Sequence, residues 1–114
     1  MSAISTHVLD TAGGRPAAGL PVVLEAQAGD GRWGVVGKGT TDADGRVGQL
    51  LPAGASLRPG LYRLTFDTQS YFVAHELEGF YPQVTVVFEV RDPTQRYHVP
   101  LLLSPFGYST YRGS

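Results

Sequence analysis

Histidine is the side chain best suited to proton transfer near neutral pH, and this chain has three of them. His7 lies near the N-terminus, His75 in the middle, and His98 near the other end. A lone histidine in a strand is ordinarily a solvated or hydrogen-bonded side chain, so its presence alone does not indicate catalysis. His98 stands out because its neighbours Val99 and Leu101 are apolar. A polar imidazole there must face outward or lie in a polar pocket.

A second candidate is Arg46, the last residue of Asp42-Ala43-Asp44-Gly45-Arg46. The segment starts like a calcium-binding loop, but no acidic residue follows between Arg46 and Pro52 to close a set of ligands. Asp-Gly before Arg46 and Val47 instead predicts a tight turn that makes a hairpin connection. Arg46 is then either a solvated residue beyond the turn or a cation placed for function, and the pattern alone leaves both open.

The last four residues, Tyr111-Arg112-Gly113-Ser114, combine an aromatic ring, a guanidinium, a glycine and a hydroxyl. Arg112 offers a rigid fork of donors that suits a planar ring with carbonyl oxygens. Gly113 lets the backbone come close to a ligand. Tyr111 could equally fill a subunit interface, and an interface can also be the wall of a site. These residues, which we call the tail, are predicted to line a binding site.

Composition excludes several classes of function. The net charge is −1 and the arginines are scattered, which argues against nucleic acid or an anionic membrane as partner. The absence of cysteine removes thiolate catalysis and cysteine-based zinc sites, and the histidines lack carboxylates at ligand spacing. Neither a Gly-x-Ser-x-Gly motif nor a phosphate-binding glycine loop occurs. We therefore expect no metal or cofactor. The N-terminal segment does not read as a signal peptide, so a cytoplasmic location is expected.

Glycine and proline recur about every ten residues between β-branched and aromatic runs, which predicts an all-β sandwich of seven to eight strands in a single domain over 1–114. One stretch, Ser70–Leu77, reads as a short helix. A short edge strand is possible near Val47–Leu50. The main strands are predicted at Ser5–Leu9, Val22–Ala28, Trp33–Thr40, Leu61–Asp67, Val84–Val90, Tyr97–Leu103 and Tyr108–Arg112.

The last two predicted strands read as a hairpin whose outer edge, Tyr108–Tyr111, carries no charge. Monomeric proteins usually protect such an edge with charge or proline. The low share of charged residues, 17%, also leaves neutral surface for contact. Both observations indicate an oligomer.

Three segments together resemble the transthyretin-related proteins, specifically the 5-hydroxyisourate hydrolases. They are Ser5-Thr6-His7-Val8-Leu9-Asp10, Thr41-Asp42-Ala43-Asp44-Gly45-Arg46, and Tyr97 through the tail, and the likeness spans nearly the whole chain in order. The tail is the mark of the hydrolase branch.

The resemblance implies a transthyretin-like (immunoglobulin-like) two-sheet sandwich, assembled as a homotetramer from two dimers. It also implies catalytic roles for His7, His98 and Arg46, with the tail binding the substrate. The implied reaction opens the ring of 5-hydroxyisourate in urate breakdown, giving 2-oxo-4-hydroxy-4-carboxy-5-ureidoimidazoline. His75 falls in no matching motif.

Water would attack a cyclic amide carbonyl in this reaction, which needs a base for the water and donors for the developing oxyanion. The sequence does not decide which histidine is the base. Two other classes stay open. A carrier of thyroid hormone on the same fold would be expected to have a wider, more apolar channel. An immunoglobulin-like structural or carbohydrate-binding domain would be expected to carry a secretion signal, which the N-terminal segment does not indicate.

Overall fold

The computed structural model describes residues 3–114, and the main elements of that range are nine strands and one helix. Two sheets carry the strands. The strands are β1 (Ile4–Asp10), β2 (Arg15–Pro16), β3 (Pro21–Gln27), β4 (Trp33–Thr40), β5 (Arg46–Val47), β6 (Gly60–Phe66), β7 (Val84–Val90), β8 (Tyr97–Ser104) and β9 (Gly107–Thr110). The first sheet has the order β2-β1-β8-β9, with β5 also paired to β1, and the second has the order β4-β3-β6-β7.

Strict alternation of side chains builds the core between the two sheets. In β6, Tyr62, Leu64 and Phe66 are buried while the residues between them reach the outer face. In β1 the buried positions begin at Ile4 and recur at every second residue up to Asp10. The prediction of an all-β, two-sheet sandwich is confirmed.

The two central strands of the first sheet, β1 and β8, run parallel over seven paired residues. Buried Thr6 joins them through its hydroxyl, which donates to the carbonyl oxygen of Val99 at 2.6 Å. Because β1 and β8 come from opposite ends of the chain, this pairing brings the N-terminal and C-terminal segments side by side. Alternate residues of both strands therefore share the outer face of the first sheet.

The helix α1 spans Thr68–Ala74, two residues earlier at its start than the pattern predicted and three earlier at its end. Asp67 caps it, accepting from the backbone N–H of Ser70 at 3.1 Å. Tyr71 on its buried side donates its hydroxyl to Asp10 at 2.7 Å, which fastens the helix to β1. Glu76, with a φ of 56°, lies just beyond the helix end in the left-handed region. None of the helices among residues 3–114 is long and apolar enough to span a membrane.

The short strands differ most from the sequence prediction. The edge strand expected near Val47–Leu50 is Arg46–Val47, and the two-residue strand β2 was not predicted. Both are too short to produce a periodic pattern, and only pairing with β1 defines them. The last strand ends at Thr110 rather than Arg112.

Candidate active site

The outer face of the first sheet carries the candidate residues in two adjacent rows that run across the strands. In one row Arg46 lies opposite His7, and His7 lies opposite Pro100. In the next row Ser5 lies opposite His98, and the same register brings Gly113 opposite His98 on the other side.

Neighbouring strands are about 4.8 Å apart and residues advance about 3.3 Å along each strand. His7 and His98 are diagonal neighbours in this grid, with Cα atoms roughly 7 to 8 Å apart. The face thus brings two imidazoles and a guanidinium, far apart in the chain, within reach of one small molecule.

Arg46 is positioned by the turn that precedes it. A side-chain oxygen of Asp42 accepts from the backbone N–H groups of Asp44 and Arg46 at 2.9 and 3.0 Å. The bond from Arg46 is the largest cause of a pKa of Asp42 below its ordinary value, and the bond from Asp44 and the charges of Arg46 and His7 lower it further. Burial acts in the opposite direction and is the smaller effect. Gly45 has a φ of +77°, and a Cβ there would collide with the carbonyl oxygen of Val8. The predicted Asp-Gly turn is present and presents Arg46 beside His7. It does not make a hairpin, because β4 and β5 lie in different sheets and β5 pairs with β1.

His7 is held by the same turn. Its Nε2 lies 2.9 Å from the carbonyl oxygen of Asp44. A carbonyl oxygen can only accept, so Nε2 carries the proton. In the neutral form of His7, Nδ1 is then the nitrogen with a free lone pair.

His98 is held by β1. Its Nδ1 lies 2.8 Å from the hydroxyl oxygen of Ser5, its partner across the parallel pair. Partial burial, followed by the charges of Arg46 and His7, lowers the pKa of His98 below the ordinary value for histidine. Both effects favour the neutral form of the His98 imidazole.

The tail continues past β9 along β8 in unchanged register. The backbone N–H of Gly113 donates to the carbonyl oxygen of His98 at 2.8 Å, and the two residues form an isolated bridge. The same register sets Tyr111 opposite Pro100, in the row of His7 and on the outer face, where it is 58% exposed. Ser114 follows Gly113 and is exposed. The tail thus forms one border of the two rows.

Arg112 is not brought together with the histidines within this chain. Its guanidinium lies 4.6 Å from the ring centre of Tyr97 and donates to the side chain of Gln95 at 2.9 Å. Tyr97 and His98 are consecutive in β8 and project to opposite faces of the sheet. Arg112 therefore clamps the tail from the far side, through a cation–π contact.

His75 lies elsewhere, as the sequence suggested. Its Nδ1 is 2.9 Å from the carbonyl oxygen of Tyr71, and its ring is tilted over that of Tyr71 at 4.2 Å between centres. His75 is therefore the residue that caps the C-terminal end of α1. Among the described residues no group of three or more His, Cys, Asp or Glu side chains could hold a metal ion.

Sequence reasoning missed two groups that contact the imidazoles, the hydroxyl of Ser5 and the carbonyl of Asp44. Ser5 lay inside a matching segment, and it shares a strand face with His7. Its contact with His98 depends on the register between β1 and β8, which the sequence does not specify. A backbone carbonyl such as that of Asp44 leaves no mark in the sequence at all.

The fold and site define a class: a transthyretin-like β-sandwich with an imidazole pair and a guanidinium on the outer face of one sheet. Comparison with known proteins supports the same class. The chain belongs to the HIUase/Transthyretin family, whose model matches residues 4–113.

Relatives and solved structures cover nearly the whole chain. A "probable 5-hydroxyisourate hydrolase" of Caenorhabditis elegans is 50% identical over 113 residues, covering 99% of this chain and 82% of the relative. The structure of Klebsiella pneumoniae 5-hydroxyisourate hydrolase superimposes with a TM-score of 0.84 at 33% identity, covering 97% of this chain and 98% of that one. Sea bream transthyretin in complex with thyroxine gives a TM-score of 0.89 at 31% identity, covering 96% and 93%.

Proposed function

We propose that His7, His98 and Arg46 carry out the hydrolysis of 5-hydroxyisourate in this chain. The activity itself follows from the hydrolases among its relatives: the protein is a hydrolase that acts on 5-hydroxyisourate in urate breakdown. The observation that supports the assignment of residues is their placement in two adjacent rows on one face of the first sheet. A small planar ring laid on that face would meet all three side chains.

In the proposed mechanism His98 is the base. Its lowered pKa favours the neutral form, which can accept a proton from water as the water attacks a ring carbonyl. The carbonyl oxygen gains negative charge in that step, and Arg46 stabilises it. His7, with Nε2 committed to Asp44, offers Nδ1 as the second proton-transfer group. The ring C–N bond then breaks, the nitrogen takes a proton, and the product is 2-oxo-4-hydroxy-4-carboxy-5-ureidoimidazoline.

We assign substrate binding to the tail. Tyr111 and Gly113 border the rows that hold the imidazoles, and Ser114 extends beyond Gly113 with a free hydroxyl donor. Arg112 contributes by holding the tail in register from the opposite face, where it packs on Tyr97. We therefore propose that Arg112 acts on binding indirectly, by holding the tail, whereas the sequence predicted that it contacts the substrate.

The same geometry favours assembly. Arg46 and Tyr111 are exposed, so within one chain the site has a floor and one border on an open face. A hydrolase of a reactive ring needs a second wall to orient it and control water. We propose that the wall is the same face of a second copy, in a homotetramer built as two dimers. Sedimentation velocity tests this: a single species of four chains is expected, and a monomer at micromolar concentration that still turns over would refute it.

Carriage of a hormone is the alternative class, because the fold superimposes on transthyretin as well as on a hydrolase. Fold alone does not separate the two. The charged and polar groups of the two rows favour the hydrolase over the carrier, because they suit a small polar ring rather than an apolar ligand.

The absorbance of freshly prepared 5-hydroxyisourate tests the proposed function. The protein should accelerate the decay of 5-hydroxyisourate well beyond the spontaneous rate, and the rate of decay should be proportional to the protein concentration. Decay at the spontaneous rate, together with saturable binding of thyroxine, would establish the carrier instead.

A further inference from the structure

The hydroxyl of Ser5 lies 2.8 Å from Nδ1 of His98, on the side of the imidazole that faces β1. We infer that Ser5 is a positioning residue, which accepts a hydrogen bond from Nδ1–H of His98 and so leaves Nε2 as the basic nitrogen. This inference deepens the proposed function and rests on it.

Ser5 is well placed for this role because the backbone fixes both partners. Ser5 and His98 are register partners in the parallel pair of β1 and β8, which continues over five further residue pairs. Thr6, the next residue, ties the same two strands through its own hydroxyl. The pairing at the centre of the sheet therefore fixes the backbone positions of Ser5 and His98 relative to each other.

The direction of the bond follows from the proton transfer. A hydroxyl can donate or accept, so distance alone does not fix the tautomer. Once His98 has taken a proton from water, both of its ring nitrogens carry hydrogen and Ser5 must accept. If Ser5 already accepts in the resting state, no group has to reorient during the reaction. If Ser5 donated instead, Nε2 would hold the proton and neutral His98 could not act as a base from that side.

The surroundings of His98 leave this task to Ser5. The titratable or charged groups that pairing places on the same face are His7 on β1, Arg46 on β5 and Tyr111 of the tail, and Arg96 precedes β8 two residues before His98. The charges of His7 and Arg46 disfavour protonation of His98, and they do not fix which ring nitrogen carries the proton. Gly113, on the other side, bonds to the backbone carbonyl of His98 and leaves the ring nitrogens untouched.

The experiment compares Ser5→Ala and Ser5→Thr, because threonine restores the hydroxyl and suits a strand. A bond from a charged donor contributes enough that Ser5→Ala should lower kcat roughly tenfold or more, with little change in KM. In Ser5→Ala the midpoint of the acid limb of the rate against pH should move to lower pH, because protonated His98 loses a hydrogen-bond acceptor. Ser5→Thr should restore both. Thr65→Ala removes a strand hydroxyl from the outer face of the other sheet and serves as the control, with kcat unchanged.

Long-range ¹H–¹⁵N NMR of the imidazoles, measured without substrate, tests the tautomer directly. The wild-type protein should carry the His98 proton on Nδ1, and Ser5→Ala should show a mixture. A proton on Nε2 in the wild type, an unchanged kcat in Ser5→Ala, or a covalent adduct on Ser5 by mass spectrometry would overturn the inference. A wild type that fails to open 5-hydroxyisourate would refute the proposed function instead, and the tautomer measurement would still decide the placement of the proton.

Discussion

The backbone of Gly113 pairs with the backbone of His98 and leaves no room for a side chain beside the imidazole. The N–H of Gly113 donates to the carbonyl oxygen of His98, and a Cβ at position 113 would lie 2.6 Å from Cδ2 of the ring. Glycine is required at this position because any side chain would push the imidazole out of place.

Gly113→Ala should therefore reduce kcat about a hundredfold, the size of effect that a displacement of about 1 Å can produce in a catalytic group. The melting temperature should stay close to that of the wild type, because the affected residue lies outside the core. Gly34→Ala is the matched control, since a Cβ there meets no atom within 4 Å. Equal turnover in the two variants would show that the tail does not constrain His98.

The acid limb of the rate against pH should report His98. Its pKa is lowered by burial and by Arg46 and His7, so the midpoint should fall below the usual value of about 6.5. Replacing Arg46 with glutamine removes a positive charge, so the His98 midpoint should rise. NMR titration of the His98 ring protons measures this independently of turnover. An unchanged or lower midpoint in Arg46→Gln would mean that the guanidinium does not act on His98.

The same lowered pKa has a consequence for stability. The unfolded chain takes up a proton on His98 at a higher pH than the folded chain does. As the pH falls through about 6.5 toward the folded pKa, this residue progressively destabilises the fold. In denaturant titrations, the free energy of unfolding of His98→Asn should fall less between neutral and acid pH than that of the wild type. An identical pH dependence in the two proteins would exclude this contribution of His98.

Asp42 should control activity from outside the site, because its carboxylate holds the turn that presents Arg46 and His7. Asp42→Ala removes two hydrogen bonds and should lower the free energy of unfolding in denaturant titrations. It should also lower kcat/KM, whereas Asp42→Asn keeps an acceptor oxygen and should recover most of the loss. Asp30→Ala, in an exposed turn of the β3–β4 hairpin, provides the comparison. If Asp42→Ala and Asp30→Ala behaved alike in turnover, the turn would have no role in positioning.

Removal of residues 112–114 should separate folding from catalysis. The truncated protein loses the clamp of Arg112 on Tyr97 and the bond from Gly113 to His98, both at the edge of the first sheet. An exposed cation–π contact contributes only about 0.5 to 1 kcal/mol, so the melting temperature should fall by a few degrees at most. Turnover should be largely lost. Ring opening at the intact rate would contradict the role assigned to the tail.

Much of the fold could be predicted because alternation is a strong signal in long strands. The bounds of β4 and β7 match the prediction at both ends, and the buried set of β6 is the one that its pattern indicates. The ends of α1 could not be predicted, because the cap at Asp67 and the reversal at Glu76 depend on local geometry that competes with periodicity. Strand β5 depends on a partner, so its two residues carry no pattern of their own.

The site was predictable in its residue types and only partly in its geometry. The imidazoles and Arg46 carry the chemistry, and the family motifs mark them. The side of the sheet that Arg112 faces follows from the register of the tail on β8, where each shift by one residue reverses the face. The contact between Ser5 and His98 follows from register as well. Pairing between distant strands is information that the order of residues does not state.

The rate of ring opening in His98→Asn tests the central claim most directly, with Thr65→Ala as control and the melting temperature as a check on folding. The account predicts that the wild type and Thr65→Ala both accelerate the decay of 5-hydroxyisourate, while His98→Asn gives the spontaneous rate with an unchanged melting transition at pH 7. A folded His98→Asn protein that opens the ring as fast as the wild type would contradict it.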